Sequence, residues 1–217
     1  AASDVYKRQI LGDASIPRAD SSAVNVAAAP IPSTGSVAVN HVEGAGTHPE
    51  GAIYQYKFVY VDSTGTEAGP SSALSVTVPV GDTLANNTIQ LNNLPPTTGS
   101  YSDVRVYRTV DGGSDFFLLG SAAAGSNFID DNSGSLTSPL NENQLTGNYG
   151  YMITYSAPGE EESRPSPLMG PINIVNGRVQ IDNLPTPPTP GAGDSFPAYT
   201  EVKICLLYTS DAADESS

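Results

Sequence analysis

The chain repeats itself, and the repeat sets what it can fold into. YQYKFVYVDSTGTEAGPSS (Tyr54–Ser72) matches YGYMITYSAPGEEESRPSP (Tyr149–Pro167). Tyr54, Tyr56, Tyr60, Glu67, Pro70 and Ser71 recur as Tyr149, Tyr151, Tyr155, Glu162, Pro165 and Ser166, an offset of 95. Further along, IQLNNLP (Ile89–Pro95) recurs as VQIDNLP (Val179–Pro185), and YSDVRV (Tyr101–Val106) as YTEVKI (Tyr199–Ile204). The offset becomes 90 and then 98, with the changes falling between the matched blocks, where loops absorb insertions. The second copy breaks off at Ile204, where the first continues with Tyr107 and Arg108.

Each block alternates as a half-buried strand does. Tyr54, Tyr56, Phe58 and Tyr60 share one face, with Gln55 and Lys57 opposite; Tyr149, Tyr151, Ile153 and Tyr155 share the corresponding face. Ile89 with Leu91, and Val104 with Val106, keep the same period. Further strands are expected at Asp115–Ala122 and Asn127–Asp130, with turns at DSTG (Asp62–Gly65), DGG (Asp111–Gly113) and DNSG (Asp131–Gly134). Short strands at this spacing predict an all-β fold of antiparallel sandwiches. An abundance of Gly, Pro, Ser, Thr, Asn, Val and Tyr, with few Lys and no Trp, points the same way.

On these residues the chain resembles fibronectin type III and Ig-like β-sandwich repeats. The pattern runs Y-x-Y-x-x-x-Y, G-x-E-x-x-P-S, I-x-L-x-x-L-P, V-x-V-Y-R-T, F-x-L-x-G, F-x-D. Tyr149, four residues after Leu145, looks like the tyrosine corner of such domains. The core Trp usual in them is absent, and Leu94 stands near its place. The resemblance covers roughly residues 50–204 and implies tandem sandwiches, the second truncated.

The two ends carry a separate signal. AASDVYKRQ (Ala1–Gln9) can be encoded GCA GCG TCA GAT GTG TAT AAG AGA CAG. The reverse complement, read one base in, gives CLLYTSDAA, which is Cys205–Ala213. Selection on protein structure has no means of relating two peptides in that way. The DNA resembles the transposase adapter used to fragment sequencing libraries. Residues 1–9 and 205–217 are therefore read as adapter-derived and set aside in fold reasoning, and trimming them is expected to leave stability unchanged. Between them lie a connector rich in Ala, Gly, Pro and Ser (10–49) with at most one or two strands, sandwich repeat 1 (50–140) and truncated repeat 2 (141–204). The phase has an alternative, in which 84–176 is the complete unit; the linker-like stretch Ser133–Gly147 favours the first division.

Charge and composition then narrow the function. The whole chain has 9 Lys and Arg against 23 Asp and Glu. Setting aside Lys7, Arg8, Asp4, Asp211, Asp214 and Glu215 leaves 7 and 19, a net charge of −12. Such a chain has no basic patch to neutralise phosphates, so nucleic-acid binding is not expected. No apolar run reaches membrane-spanning length. The sole cysteine, Cys205, lies in the set-aside tail, so no disulfide or thiolate metal site is expected.

No catalytic constellation is legible. His41 and His48 lie seven apart in the connector, without metal-ligand spacing, and are expected to face solvent. Asp130, Asp131, Glu160, Glu161 and Glu162 are weak Ca²⁺ candidates, because hard cations take converging loop oxygens; solvated turns are the plainer reading. No other cofactor is expected. Arg105 and Arg108 could meet a ligand, though Arg105 is expected on the solvated face over neighbouring tyrosine rings. The row Tyr54, Tyr56, Tyr60 could form a sugar platform, but its phase makes it core. Asn86-Asn87-Thr88 is a sequon of a kind common by chance.

Repeats without a site point to a structural role. ESRPSPLMGPINIVNGRVQIDNLP (Glu162–Pro185) looks like the Ig-like insert domains of some bacterial flagellar hook proteins. G-x-E-x-x-P-S followed by V-Y-R-T also looks like repeats of phage tail and bacterial adhesin proteins. These resemblances imply an extracellular appendage or virion tail, self-assembly within a larger body and possible glycan or cell-surface contact. A carbohydrate- or protein-binding module is the other class, and an enzyme is not expected.

Overall fold

The computed structural model describes residues 16–43, 46–81 and 87–209. The described residues form thirteen strands and no helix. They divide into two compact units: unit A is Ala29–Gln144, and unit B is the described part of Ala1–Ala28 with Leu145–Ser217.

Unit A is built on β3 (Ile53–Asp62), whose alternate residues Tyr54, Tyr56, Phe58 and Tyr60 are buried as the sequence period requires. It pairs antiparallel with β4 (Glu67–Pro70) and β5 (Leu74–Thr77) along one edge and β7 (Tyr101–Arg108) along the other. β8 (Phe117–Ala123) completes a five-stranded sheet. A second sheet has the order β2 (Ala38–Glu43), β6 (Asn87–Asn92), β9 (Phe128–Asp130). One core takes residues from both sheets: Tyr56, Phe58, Val104 and Val106 from the first, Ile89 and Leu91 from the second, with Leu94 beside them. Leu94 is fully inside.

Unit B is built on β10 (Leu145–Ser156), flanked by β11 (Met169–Gly177) and β13 (Glu201–Thr209). A separate antiparallel pair joins β1 (Asn25–Ala28) to β12 (Val179–Asp182). Its core has two clusters, one around Ile153, Tyr155 and Tyr199, the other around Tyr149, Tyr151 and Ile174. The segment read as a connector thus supplies β1 to one unit and β2 to the other.

The matched blocks pair in one register. Tyr56 faces Arg108 and Phe58 faces Val106 in unit A; Tyr151 faces Leu206 and Ile153 faces Ile204 in unit B. Ser71 Oγ accepts from the Phe58 amide at 3.0 Å, and Ser166 Oγ accepts from the Ile153 amide at 3.1 Å. Arg105 pairs with Glu67 at 2.8 Å, and Lys203 pairs with Glu162. Asn93 and Asn183 both sit at positive φ, 54° and 57°, where a short polar side chain is better tolerated than a branched one. The Tyr149 hydroxyl donates to the Thr146 carbonyl, three residues upstream, at 3.2 Å.

Three expectations are corrected. Cys205 to Thr209 continue β13 and pair with β10, from Met152↔Cys205 to Asn148↔Thr209. A ladder is made by backbone, so an extended segment rich in Leu, Tyr and Thr joins it whatever its origin. Trimming those five residues removes part of the ladder, so it is expected to lower the stability of unit B. The stretch Ser133–Gly147 does not run free as a linker. The Leu118 amide donates to Ser138 O and the Leu140 amide to Phe116 O, both 2.8 Å, which covers the outer edge of β8. Finally, the face of β3 opposite the tyrosines is also dry in part: Val59 packs with Tyr107, Phe116 and Leu140 in a second small core.

The shared serines give a direct test. Ser71→Ala and Ser166→Ala each leave a buried amide without its acceptor, and each is expected to destabilise its own unit by roughly 1–3 kcal/mol. Hydrogen exchange should show faster exchange at Phe58 in the first variant and at Ile153 in the second, with the other unit unchanged.

Candidate functional site

The described residues hold one deeply buried charged cluster, in unit A. β7 ends at Arg108 and β9 ends at Asp130, on different sheets. Arg108 Nη1 donates to Asp130 Oδ2 at 2.6 Å, and Arg108 Nη2 donates to Asn132 Oδ1 at 2.8 Å. The Tyr56 hydroxyl donates to the same Asp130 Oδ2 at 2.7 Å. His48 Nε2 lies 3.3 Å from Asp130 Oδ1 and 3.1 Å from the Asp130 carbonyl oxygen. The guanidinium sits 4.6 Å over the Tyr54 ring, and His48 meets that ring edge-on at 4.9 Å. The Asn132 amide closes the set by donating to Asp130 Oδ1 at 3.0 Å, with Asn132 at positive φ, 65°.

Burial by itself would raise the Asp130 carboxyl. Hydrogen bonding to His48, the charge of Arg108 and the Tyr56 hydroxyl outweigh it and hold the carboxyl down at about 2. Burial, reinforced by the neighbouring carboxylate, pushes the Tyr56 hydroxyl far up, so it stays a donor. Asp130 is therefore a carboxylate saturated by three side-chain partners. Arg108, Asp130, His48 and Tyr56 are all buried, so none of them presents a face to a dissolved substrate. Among the described residues, Arg108 Nε, His48 Nδ1 and Asn87 Oδ1 have no hydrogen-bond partner.

His48 was expected to face solvent, and it is buried instead. The sequence places it in a Gly- and Pro-rich stretch, but Asp130 is 82 residues away and its pull on His48 is invisible to local pattern. His41 sits on β2, opposite Ile89, rather than in a loop. Arg105 does not lie over a tyrosine ring; it is half-buried against Glu67, which also accepts from the Tyr107 hydroxyl. The guanidinium over a tyrosine is that of Arg108. Tyr54, Tyr56 and Tyr60 are core, as their phase implies. Thr88 is buried, its Oγ1 accepting from the Gly46 amide at 3.1 Å, while Asn86 of the sequon lies outside the described residues.

The acidic candidates serve separate purposes. Asp131 Oδ1 accepts from the Ser133 amide and hydroxyl, a local turn. Glu162 takes Lys203 and the Thr154 hydroxyl, and Glu160 and Glu161 are exposed. Among the described residues no group of three or more His, Cys, Asp or Glu is placed to hold a metal ion. Burial pushes the Cys205 thiol up, away from the reactive thiolate. Among the described residues no helix is long and apolar enough to cross a membrane.

No family model, curated protein or solved structure matches this chain.

Asp130→Asn leaves Arg108 buried without its counter-charge. Unit A is expected to lose roughly 3 kcal/mol at pH 7. The depressed carboxyl contributes stability that is full above its unfolded pKa near 4 and is lost as pH falls toward about 2. The gap between wild type and variant should therefore narrow steadily in denaturant titrations from pH 5 down to pH 2. A gap that stays constant over that range would show that Asp130 is not the titrating group.

Proposed function

We propose that the chain is a non-catalytic structural part of an extracellular bacterial appendage, built of tandem fibronectin-III or Ig-like sandwiches, with a flagellar hook-like insert domain as the first reading. One observation carries it: the buried charged cluster of unit A is consumed by its own members and ties two sheets together. A buried charge cluster satisfied within itself supports a structural use over a catalytic one. The Tyr149 hydroxyl bond, read as a tyrosine corner, and the common register of the two matched blocks support the repeat reading. The motif G-x-E-x-x-P-S with V-Y-R-T keeps a phage tail or adhesin spacer as the second reading.

The adapter reading of the ends belongs with this proposal. The copies keep matched partners up to Ile204. At the next position Tyr107, which donates to Glu67, is answered by Cys205, and Glu162 takes Thr154 instead. Arg108, bound to Asp130, is answered by Leu206.

Long-read sequencing of the source locus, without a transposase step, tests both. The expected result is Tyr and Arg codons after Ile204, in a frame whose flanks encode hook assembly segments. Flanks encoding tail or adhesin modules would select the second reading. A genome that itself encodes CLLYTSDAADESS would overturn the adapter reading.

A further inference from the structure

Matched positions in the two units differ in one respect. Val106 is fully buried, whereas Ile204, in the same register, is 46% exposed. Leu94 is 1% exposed and its counterpart Leu184 is 44% exposed. Ile89 and Leu91 are fully buried, while Val179 and Ile181 are only half-buried. Other matched positions show no such gap: Tyr101 and Tyr199, and Tyr60 and Tyr155, are equally buried.

What closes unit A at these positions is β8 and β9. β8 lies along the free edge of β7, with Val106↔Gly120 and Arg108↔Phe117. β9 lies along β6, with Ile89↔Asp130 and Leu91↔Phe128. The two meet where a Cβ on Gly120 would come within 3.2 Å of the Phe128 ring, so glycine lets that ring seat over the core. In unit B the described residues place no strand on the outer edge of β13 or on the second edge of β12. The open edges, the exposed Ile204 and Leu184, and the half-buried Val179 and Ile181 together outline one missing pair of strands.

We infer that unit B is completed by a two-stranded segment of the β8–β9 kind, one strand along β13 and one along β12, supplied by the parent chain in place of the residues from Cys205 onward. This rests on the adapter reading of that tail. The first strand needs three large apolar residues, then a small one opposite Ile204, then small residues, as in FLLGSAA. The second strand needs an aromatic residue opposite Ile181 and an acidic residue at its end. That acid would meet Tyr151, which stands where Tyr56 does, and an arginine at position 206.

The test replaces residues 205–217 with the chain's own Tyr107–Asn132 sequence. Unit B should then melt about 5 °C or more higher. Amides of Val202, Lys203 and Ile204 should exchange at least about tenfold more slowly. Unit A, as internal reference, should not move. Changing the grafted counterpart of Gly120 to Val should abolish most of the gain, and so should Asp130→Asn in the graft. No gain in melting or protection would overturn the inference. So would a β13-mediated dimer of the present chain, seen by light scattering and dispersed by Ile204→Lys, because a second copy would then be the occupant. The locus sequencing reads the origin of the tail independently, so the two failures are told apart.

Discussion

The Arg108–Asp130 pair is the contact on which unit A depends. It joins the end of β7 in one sheet to the end of β9 in the other. Two charges out of water are costly alone, and apolar residues of similar volume often do as well for stability. What the pair adds is position. The carboxylate has to meet a guanidinium, a tyrosine hydroxyl and an imidazole at once, and few sheet-to-sheet registers satisfy all three. Tyr56 belongs to the core on its ring and to this cluster on its hydroxyl, so hydrophobic packing and polar register are set by the same strand.

The rest of unit A follows from edges being covered in turn. β7 is covered by β8, and β8 by the backbone of Ser138–Leu140. Exposed ladders template further pairing, so a stable sandwich blunts them. Unit B repeats the inner part of this plan, in the same register and with the same serine and acid–base contacts, around a core that the described residues leave open at Ile204 and Leu184. The contrast isolates what each layer contributes. The β10–β13 ladder forms without the closing strands, but Ile204 stays half in water.

Much of the fold was legible along the chain. Alternation located β3, β6, β7 and β10, because one side of a strand must be dry and the other wet. The DSTG and DGG runs marked the chain reversals after β3 and β7, because Asp and Gly suit tight turns. The candidate site was hardly legible. His48, Arg108 and Asp130 look like three unrelated polar residues until β7, β9 and the loop before β3 are brought together. Val59 and Tyr107 read as the wet face, and only Phe116 and Leu140 arriving from elsewhere make it dry. β1 finds β12 about 150 residues away, and no local period announces that partner.

The sequence by itself determined that this is a strand-forming chain with a repeat, an aromatic inner face and turns at fixed places. Those properties depend on residues within a few positions of one another, and the backbone period turns them into structure directly. Only the tertiary structure decided which strands share a sheet, which charges neutralise one another and where the core stays open. These are settled by groups distant in sequence competing to leave water together, and the free energy of burying Arg108 depends on Asp130 being there to receive it.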